Sequence, residues 1–393
     1  MKVLYLNHTA EMSGAERALL DLLEALPGRF EPAVACPPEG PLPRAVRALD
    51  IRVLPLPEVR LSFRLHLLRT GRGVGDLVRT SVGLARLARR EEIRLVHANS
   101  ARAGLIAGLA GRLGGPPTLV HVHDCLPASV AGRLAGSAVG AVAQLLVVNS
   151  SYTAARLAEL GCRTPIRVVH NGVDVGRFHP AIMPRRRARE RLGLQPDSVT
   201  LGLVAQLTPW KAQDDAIALL VHLRERCPGA RLVLVGSAMF SPGFSRYDNQ
   251  AFERALRAAV SKLGLGEAVH FLGQRSDLPE ILRALDLLIL PSWEEPFGIA
   301  LIEAMAMALP VVATEIGGPA EIITHGEDGF LLPPRRPRRW AEEIAALLAQ
   351  PALRAAVGDK ARLRAVSAFH RRLYVEGMVA CYSEISNGGA AAA

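Results

Sequence analysis

Residues 294–304 read EEPFGIALIEA, and two glutamates in that phrase, Glu295 and Glu303, stand eight positions apart. The preceding LDLLIL has the composition of a buried strand, and FGIALIEAMAMA that of a helix. Pro296 suits the first helical position, where a missing N–H is harmless. Gly298 lets a ligand approach the backbone closely. The amides of Phe297, Gly298 and Ile299 would then point out of the helix mouth, a place that binds anions and above all phosphate. Glu303 falls roughly 9 Å along the axis from that start, at ~1.5 Å per residue, and Glu295 stays outside the mouth. Carboxylates accept hydrogen bonds and pair naturally with vicinal hydroxyls. A ligand with hydroxyls at both ends and phosphates between them would fit, and a nucleotide-diphosphate sugar has that plan.

Such a mouth needs a strand before it and a sheet around it. Short β-rich runs alternate with helical patterns through most of the chain. VLYL, EPAVAC, IRVLPL, IRLVHAN, PTLVHVH, LLVVNS and IRVVH look like buried strands, separated by helix-period segments such as AERALLDLLEAL and SYTAARLAEL. The pattern pauses at HNGVDVGRFHPAIMPRRRARERLGL, where an Asn-Gly turn, prolines and a charge run occur together. It restarts with VTLGLVAQL, RLVLVGS, AVHFLG, LDLLILPS, LPVVATE and GFLLPP. This predicts an α/β protein with two parallel sheets in tandem, helices on both faces. Ligands of such sheets bind at the carboxyl ends of strands, and two facing sheets would form a cleft.

The 393 residues, half of them hydrophobic, suffice for two or three folded domains. No apolar run reaches the ~18 residues of a membrane span; VAGRLAGSAVGAVAQLLVV, interrupted by Arg133 and Gln144, reads as a helix entering a strand. MKVLYLNHTA reads as a first strand rather than a leader, which points to a cytoplasmic protein. The five scattered cysteines contain no CxxC pair and suggest buried thiols in a reducing compartment. In that setting the N-x-S/T matches at Asn7 and Asn149 are chance. The net charge of +10 would attract phosphates, nucleic acid or an anionic bilayer, or reflect a solvated arginine-rich surface. Nucleic acid is disfavoured by the 5% aromatic content and the absence of a reader motif.

The segment VHFLGQRSDLPEILRALDLLILPSWEEPFGIALIEAMAMALPVVATEIGGPAEIITHGEDGFLLPP resembles the C-terminal signature of the family-4 retaining glycosyltransferases of GT-B fold. SGAERALL, HVHD, VVNSSYTAARL, VHNGVDVGRFHP and VAQLTPWKAQD extend the resemblance over nearly the whole chain. It implies two Rossmann-like domains across a cleft. These are residues 1–173 on the acceptor side, with 368–393 returning to it, and 174–367 for the nucleotide sugar. It implies that Glu295 contacts sugar hydroxyls, that Glu303 binds both ribose hydroxyls, and that the amides at Phe297, Gly298 and Ile299 help hold the donor. The family's G-R-L-x-x-x-K-G reads A-Q-L-T-P-W-K-A here, residues 205–212. Lys211 matches the lysine that neutralises the leaving diphosphate, where a cation stabilises developing charge. The usual arginine is Gln206, which donates a hydrogen bond but brings no charge and no fork. Arg275 is a candidate to compensate. Gly14, in SGAE, resembles a glycine that approaches the donor phosphate or the acceptor, and Gly236, ending RLVLVG, joins the donor-binding set. His123, in HVHD, matches the active-site histidine near the donor sugar, and His121 points the same way as a weaker candidate.

The resemblance further implies retention of anomeric configuration, with His123, Lys211 and Glu295 as positioning and electrostatic groups and no protein base named. No metal and no cofactor are expected; the donor is a co-substrate. GRGVGD at 71–76 does not qualify as a dinucleotide loop, since its third glycine falls one place early and no strand precedes it. Residues 60–94 carry nine arginines among apolar residues, which suggests peripheral binding to an anionic membrane surface or a solvated helix. The partners expected are a nucleotide-diphosphate sugar and an acceptor hydroxyl on a lipid, glycan or small molecule. The alternatives are a non-catalytic nucleotide-sugar-binding relative, suggested by Gln206, or a GT-B epimerase or phosphorylase.

Overall fold

The computed structural model describes residues 1–57, 67–127, 129–239 and 247–390. The chain divides into two units, Met1–Gly172 with Arg371–Ala393, and Val173–His370. The division falls where Val173 N–H donates to the Phe369 carbonyl at 2.8 Å, between the helices Pro351–Ala368 and Arg371–Ala390.

The first unit is built on β1 (Lys2–Leu6), β2 (Glu31–Cys36), β3 (Arg52–Pro55), β4 (Leu95–Ala98), β5 (Thr118–Val122), β6 (Leu145–Val148) and β7 (Ile166–Val168). They form one sheet in the order β3-β2-β1-β4-β5-β6-β7, every pairing parallel. Alternation along the strands divides its residues between two faces. Leu4, Leu6, Val96, Ala98, Val120 and Val122 pack on one side with Leu84, Ile106 and Val139 of flanking helices. Tyr5, His97 and His121 occupy the other side, where Tyr374 and Tyr382 of the last helix cover them. The edge strands β3 and β7 are partly exposed rather than buried, since each has a neighbour on one side only.

The second unit repeats the plan with β8 (Thr200–Val204), β9 (Arg231–Val235), β10 (Val269–Gly273), β11 (Leu287–Leu290), β12 (Val311–Thr314) and β13 (Phe330–Leu332). Its order is β10-β9-β8-β11-β12-β13, again all parallel. Counted within the unit this is the 3-2-1-4-5-6 order of a doubly wound nucleotide-binding sheet. Leu201, Leu203, Leu232, Leu234 and Ile289 pack beneath Leu220 and Trp340 on one face. Val233, Leu288, Leu290 and Val311 pack beneath Ile281, Met305 and Ala361 on the other. The strand order reverses between β1 and β4 in the first sheet and between β8 and β11 in the second, so ligand crevices belong at the carboxyl ends of those strands.

The run PRRRARER is the helix Arg185–Arg191, but Arg189 is buried in it, donating to the Ala284 carbonyl at 3.0 Å and to Asp286 at 3.3 Å. Of the five cysteines, all free, Cys36 and Cys381 are buried and the others only partly so. GRGVGD lies within the helix Leu67–Arg90. Of the arginine-rich stretch 60–94, residues 60–66 lie outside the described residues. Among its described arginines, Arg79 pairs with Asp76, Arg90 pairs with Glu91 at 3.0 Å, and Arg89 donates to the Leu113 carbonyl at 2.8 Å. No helix of the described residues is long and apolar enough to cross a membrane.

Candidate active site

In the second unit, β11 runs into PSWEEPFG, and the helix that follows spans Ile299–Ala306. Its N-cap is Gly298, at φ +106°, a left-handed conformation that glycine adopts without the Cβ penalty. Pro296 therefore lies two residues before the cap rather than at the first helical position. The glycine, not the proline, turns the chain into the helix. The mouth consequently begins later, and its first-turn amides are those of Gly298, Ile299 and Ala300. Phe297 is the residue before the cap; its ring is buried edge-on to Phe369 at 6.0 Å. Glu303 sits four residues past Ile299, so about 6 Å along the axis at ~1.5 Å per residue, closer to the mouth than the 9 Å read from the sequence. It is 8% exposed, and Glu295 is 4% exposed.

Glu295 is held firmly. Its N–H donates to the Ile316 carbonyl at 3.2 Å, and its carbonyl accepts from Gly318 N–H at 2.8 Å. Its Oε2 accepts from Lys211 Nζ at 2.5 Å and from Ser292 Oγ at 2.9 Å. Oε1 has no protein partner among the described residues. Lys211 also lies over the Trp210 ring, 4.0 Å from its centroid. The loops after β8 and β11 are tied together, since Trp293 N–H donates to the Trp210 carbonyl at 2.9 Å. The Lys-Glu pair thus forms at the switch point, from two loops distant in sequence.

Gln206 directs its side chain away from the Lys-Glu pair, Nε2 donating to the Met239 carbonyl at 3.3 Å. Gly236, at φ +137°, lies so close beneath that loop that a Cβ there would stand 2.0 Å from the Ala205 carbonyl oxygen. Its evident role is to let the two strand ends cross. Arg275 places Nε and one terminal nitrogen on Asp277, at 2.8 and 2.5 Å, and the guanidinium holds that carboxyl below its ordinary range. In this arrangement its fork serves Asp277.

In the first unit, Gly14 opens the helix Gly14–Glu24, with Ser13 as N-cap. The Glu16 carboxylate takes the Ser13 N–H at 2.9 Å and the Ser13 hydroxyl, the acidic half of a capping box. Glu16 also accepts from Asn7 Nδ2 at 3.1 Å, and the same nitrogen donates to the Thr9 carbonyl at 2.8 Å. Asn7 Oδ1 must then be an acceptor, and Asn99 Nδ2 donates to it at 3.1 Å and to the Ala15 carbonyl at 3.2 Å. That orients Asn99 Oδ1 toward His123 Nε2, 3.0 Å away. His123 is therefore protonated on Nε2, and its Nδ1 lone pair has no protein partner among the described residues. Burial pushes the His123 pKa down to about 3, so the ring stays neutral. Asn149 Nδ2 donates to the His123 carbonyl at 3.2 Å and fixes the backbone as well.

Sequence reasoning missed Asn7, Glu16, Asn99 and Asn149. The S-x-x-E spacing in SGAE is that of a capping box and is the signal that could have found Glu16. Each asparagine ends a strand run, and only the neighbourhood of β1, β4, β5 and β6 makes them one network. Below His123 lies His121, fully buried, ring centroids 3.9 Å apart, with neither ring nitrogen hydrogen-bonded. It is a packing residue under the candidate site, not part of its surface. His97 Nδ1 meets Tyr382 Oη at 2.7 Å. Burial lowers the pKa of His97 to about 3 and that of His121 well below its ordinary value.

Comparison with known proteins agrees with this architecture. Residues 184–364 match the glycosyl transferases group 1 family, and residues 12–177 match glycosyltransferase family 4. A D-inositol 3-phosphate glycosyltransferase of Actinosynnema mirum is 32% identical over 307 residues, 73% of this chain and 72% of that protein. One from Segniliparus rotundus is 33% identical over 251 residues, 63% of this chain but only 54% of that relative's length. Anabaena HepE, solved with UDP-glucose, superposes with a TM-score of 0.84 at 25% identity, covering 98% of this chain and all of that one. Sucrose-phosphate synthase of Thermosynechococcus elongatus shares the fold, with a TM-score of 0.80 at 21% identity over 99% of this chain and all of that one. Two doubly wound sheets, matches to both family halves and a relative aligned over most of both chains lead to one conclusion: the chain belongs to the family 4 glycosyltransferases, the glycosyl transferases group 1, with the GT-B fold.

Proposed function

We propose that the chain transfers a hexosyl group from a UDP-sugar to an acceptor hydroxyl, with retention of anomeric configuration and without a metal ion. The observation that carries this reading is the Lys211–Glu295–Ser292 cluster, its glutamate and serine buried, beside the mouth of the helix Ile299–Ala306, with Glu303 about one turn inside. Each end of the donor then has a counterpart. The amides of Gly298, Ile299 and Ala300 face the diphosphate. Glu303 accepts from the ribose hydroxyls, and Glu295 Oε1 accepts from a sugar hydroxyl. Lys211, already anchored on Glu295, shares its remaining protons with the leaving diphosphate, whose charge grows as the anomeric bond breaks. On the first unit, His123 carries an Nδ1 lone pair that can accept from a sugar hydroxyl.

In the reaction the acceptor oxygen bonds to the anomeric carbon on the face from which the diphosphate leaves. The bond from that carbon to the phosphate oxygen breaks, and a phosphate oxygen takes the acceptor proton. The UDP assignment draws on HepE, solved with UDP-glucose, and the relatives named for D-inositol 3-phosphate suggest a polyol acceptor, in glycan, glycolipid or small-glycoside synthesis.

Thermal unfolding across UDP-, GDP- and ADP-sugars tests the donor site. The correct donor at a hundredfold excess over Kd should stabilise the chain by ~2.7 kcal/mol, and Glu303→Ala should abolish that shift. An unchanged shift in the variant would remove the proposed donor pose. Transfer that survives a chelator, with a product NMR spectrum showing the donor's anomeric configuration, is the expected outcome for the other two clauses.

A further inference from the structure

At the opposite edge of the second sheet, where Asp286 and Pro310 precede β11 and β12, a pocket of about 210 Å³ opens. Three helices supply Arg185, Arg283 and Arg354 to its wall, and Met307 and Pro310 give it an apolar floor. Asp286 is the only acid among the described residues lining it. That carboxylate is already committed: Oδ1 accepts from Arg185 at 2.7 Å, and Oδ2 accepts from Arg189 at 3.3 Å and from Thr200 N–H at 2.9 Å. Arg283 places only Nε, on the Met183 carbonyl at 3.1 Å, and faces no carboxylate. Arg354 makes no side-chain hydrogen bond or ion pair with a described residue.

Three guanidiniums therefore line a concave surface whose one carboxylate is already taken by Arg185 and by the buried Arg189 behind it, and guanidiniums do not deprotonate to relieve the surplus. Burial, then the charge of Arg185, pushes the Arg283 pKa down. Pro351, also in the wall, is the first residue of an eighteen-residue helix whose first-turn amides favour an anion at the same place.

We propose that this pocket is a second anion site, separate from the donor mouth, that takes a small phosphate-bearing ligand. Arginine forks match phosphate oxygens in geometry and charge. The volume lies below the roughly 300 Å³ at which pockets for drug-sized ligands begin, so a phosphomonoester or inorganic phosphate fits where a nucleotide sugar does not. Met307 and Pro310 would meet the carbon skeleton of an ester. The site also abuts the far end of the helix that carries Glu303: Met307 is that helix's C-cap, and its N–H donates to the Glu303 carbonyl at 3.3 Å.

The test is calorimetric titration of the full chain at low salt with inorganic phosphate and with glycerol 3-phosphate, each with and without saturating UDP. The expected result is saturable binding that UDP does not displace and that Arg283→Gln/Arg354→Gln weakens at least tenfold. Arg354→Gln alone, on a half-exposed helix position, should weaken it several-fold and serves if the double variant does not fold. Sedimentation with vesicles containing phosphatidic acid separates the sources. Binding of the soluble esters assigns a free ligand, whereas binding only to those vesicles, still lost in the variants, assigns a lipid headgroup. Absence of saturable binding to any of these probes, or binding unchanged in the variants, overturns the proposal. Donor-induced stabilisation retained in the same variants keeps a failure here distinct from a failure of the donor site.

Discussion

At the switch point of the first sheet the functional groups are neutral and interlocked: His123 carries no charge, and Asn99 and Asn7 link it to one buried carboxylate, Glu16, which Ser13 also meets. At the switch point of the second sheet a partly buried ammonium meets a buried carboxylate at 2.5 Å, beside the amides of a helix mouth. The strand order around the two points is the same. Topology therefore provides the crevice, and the residues that follow each strand decide its electrostatics. The proposed division of work follows. The first unit presents oriented, uncharged hydrogen-bonding groups, and the second supplies fixed charge.

The largest expected effect breaks the charged half of this contrast. Lys211→Ala should lower kcat by ~10²–10³, the typical loss for one group that stabilises transition-state charge. It should also lower the melting temperature, because Glu295 would keep a buried charge with no cation. A fall in kcat of less than a few-fold would show that this charge is not used in the chemistry. The neutral half is tested by Asn99→Leu, which removes the acceptor of His123 Nε2–H. A stranded buried donor costs about 1–3 kcal/mol of folding stability, and a His123 ring no longer held in place should lower kcat/KM by up to ~10²-fold, the cost of a misplaced group, with donor-induced stabilisation retained. Imidazole nitrogen NMR should show the Nε2–H form in the parent and its loss in the variant. A variant that is merely less stable, with parental kinetics, would make the network structural only.

The smallest effect is on stability against pH. His97, His121 and His123 have folded pKa values below the ordinary histidine range, so the unfolded chain binds more protons. Their contribution is intact above about pH 6.5 and is lost as pH falls toward about 3, by up to roughly tenfold in the folding constant per pH unit for each histidine. His121→Phe should flatten the decline of melting temperature between about pH 6.5 and 4, since neither nitrogen of His121 makes a hydrogen bond that would be lost. Equal slopes in parent and variant would detach the acid response from this cluster.

Much of this was legible in the amino-acid order. All thirteen strands of the described residues appear as β-rich runs between helical segments, because a strand in a sheet covered on both faces is written as a largely apolar stretch. Glu295, Glu303, Lys211 and His123 stand out because their types and neighbours carry chemistry. Local pattern was weaker where conformation departs from propensity. The helix start was placed at Pro296, three residues early, because a left-handed cap at Gly298 is a backbone choice that composition leaves open. Gln206, Gly236 and Arg275 were grouped by position along the chain. Their partners, the Met239 and Ala205 carbonyls and Asp277, are set by how the loops cross and fold back.

What the sequence determined by itself was the sheet architecture and the identity of the charged groups, since both follow from periodicity and side-chain type over short windows. Tertiary structure alone decided which groups meet. Lys211 reaches Glu295 across 84 positions, and Asn7 reaches Asn99 across 92, because parallel strands carry residues distant in the chain to the same edge. It also decided the protonation of His123. Neither the tautomer nor the neutral state is a property of HVHD; both come from the orientation of an asparagine on the next strand and from the exclusion of water around the ring.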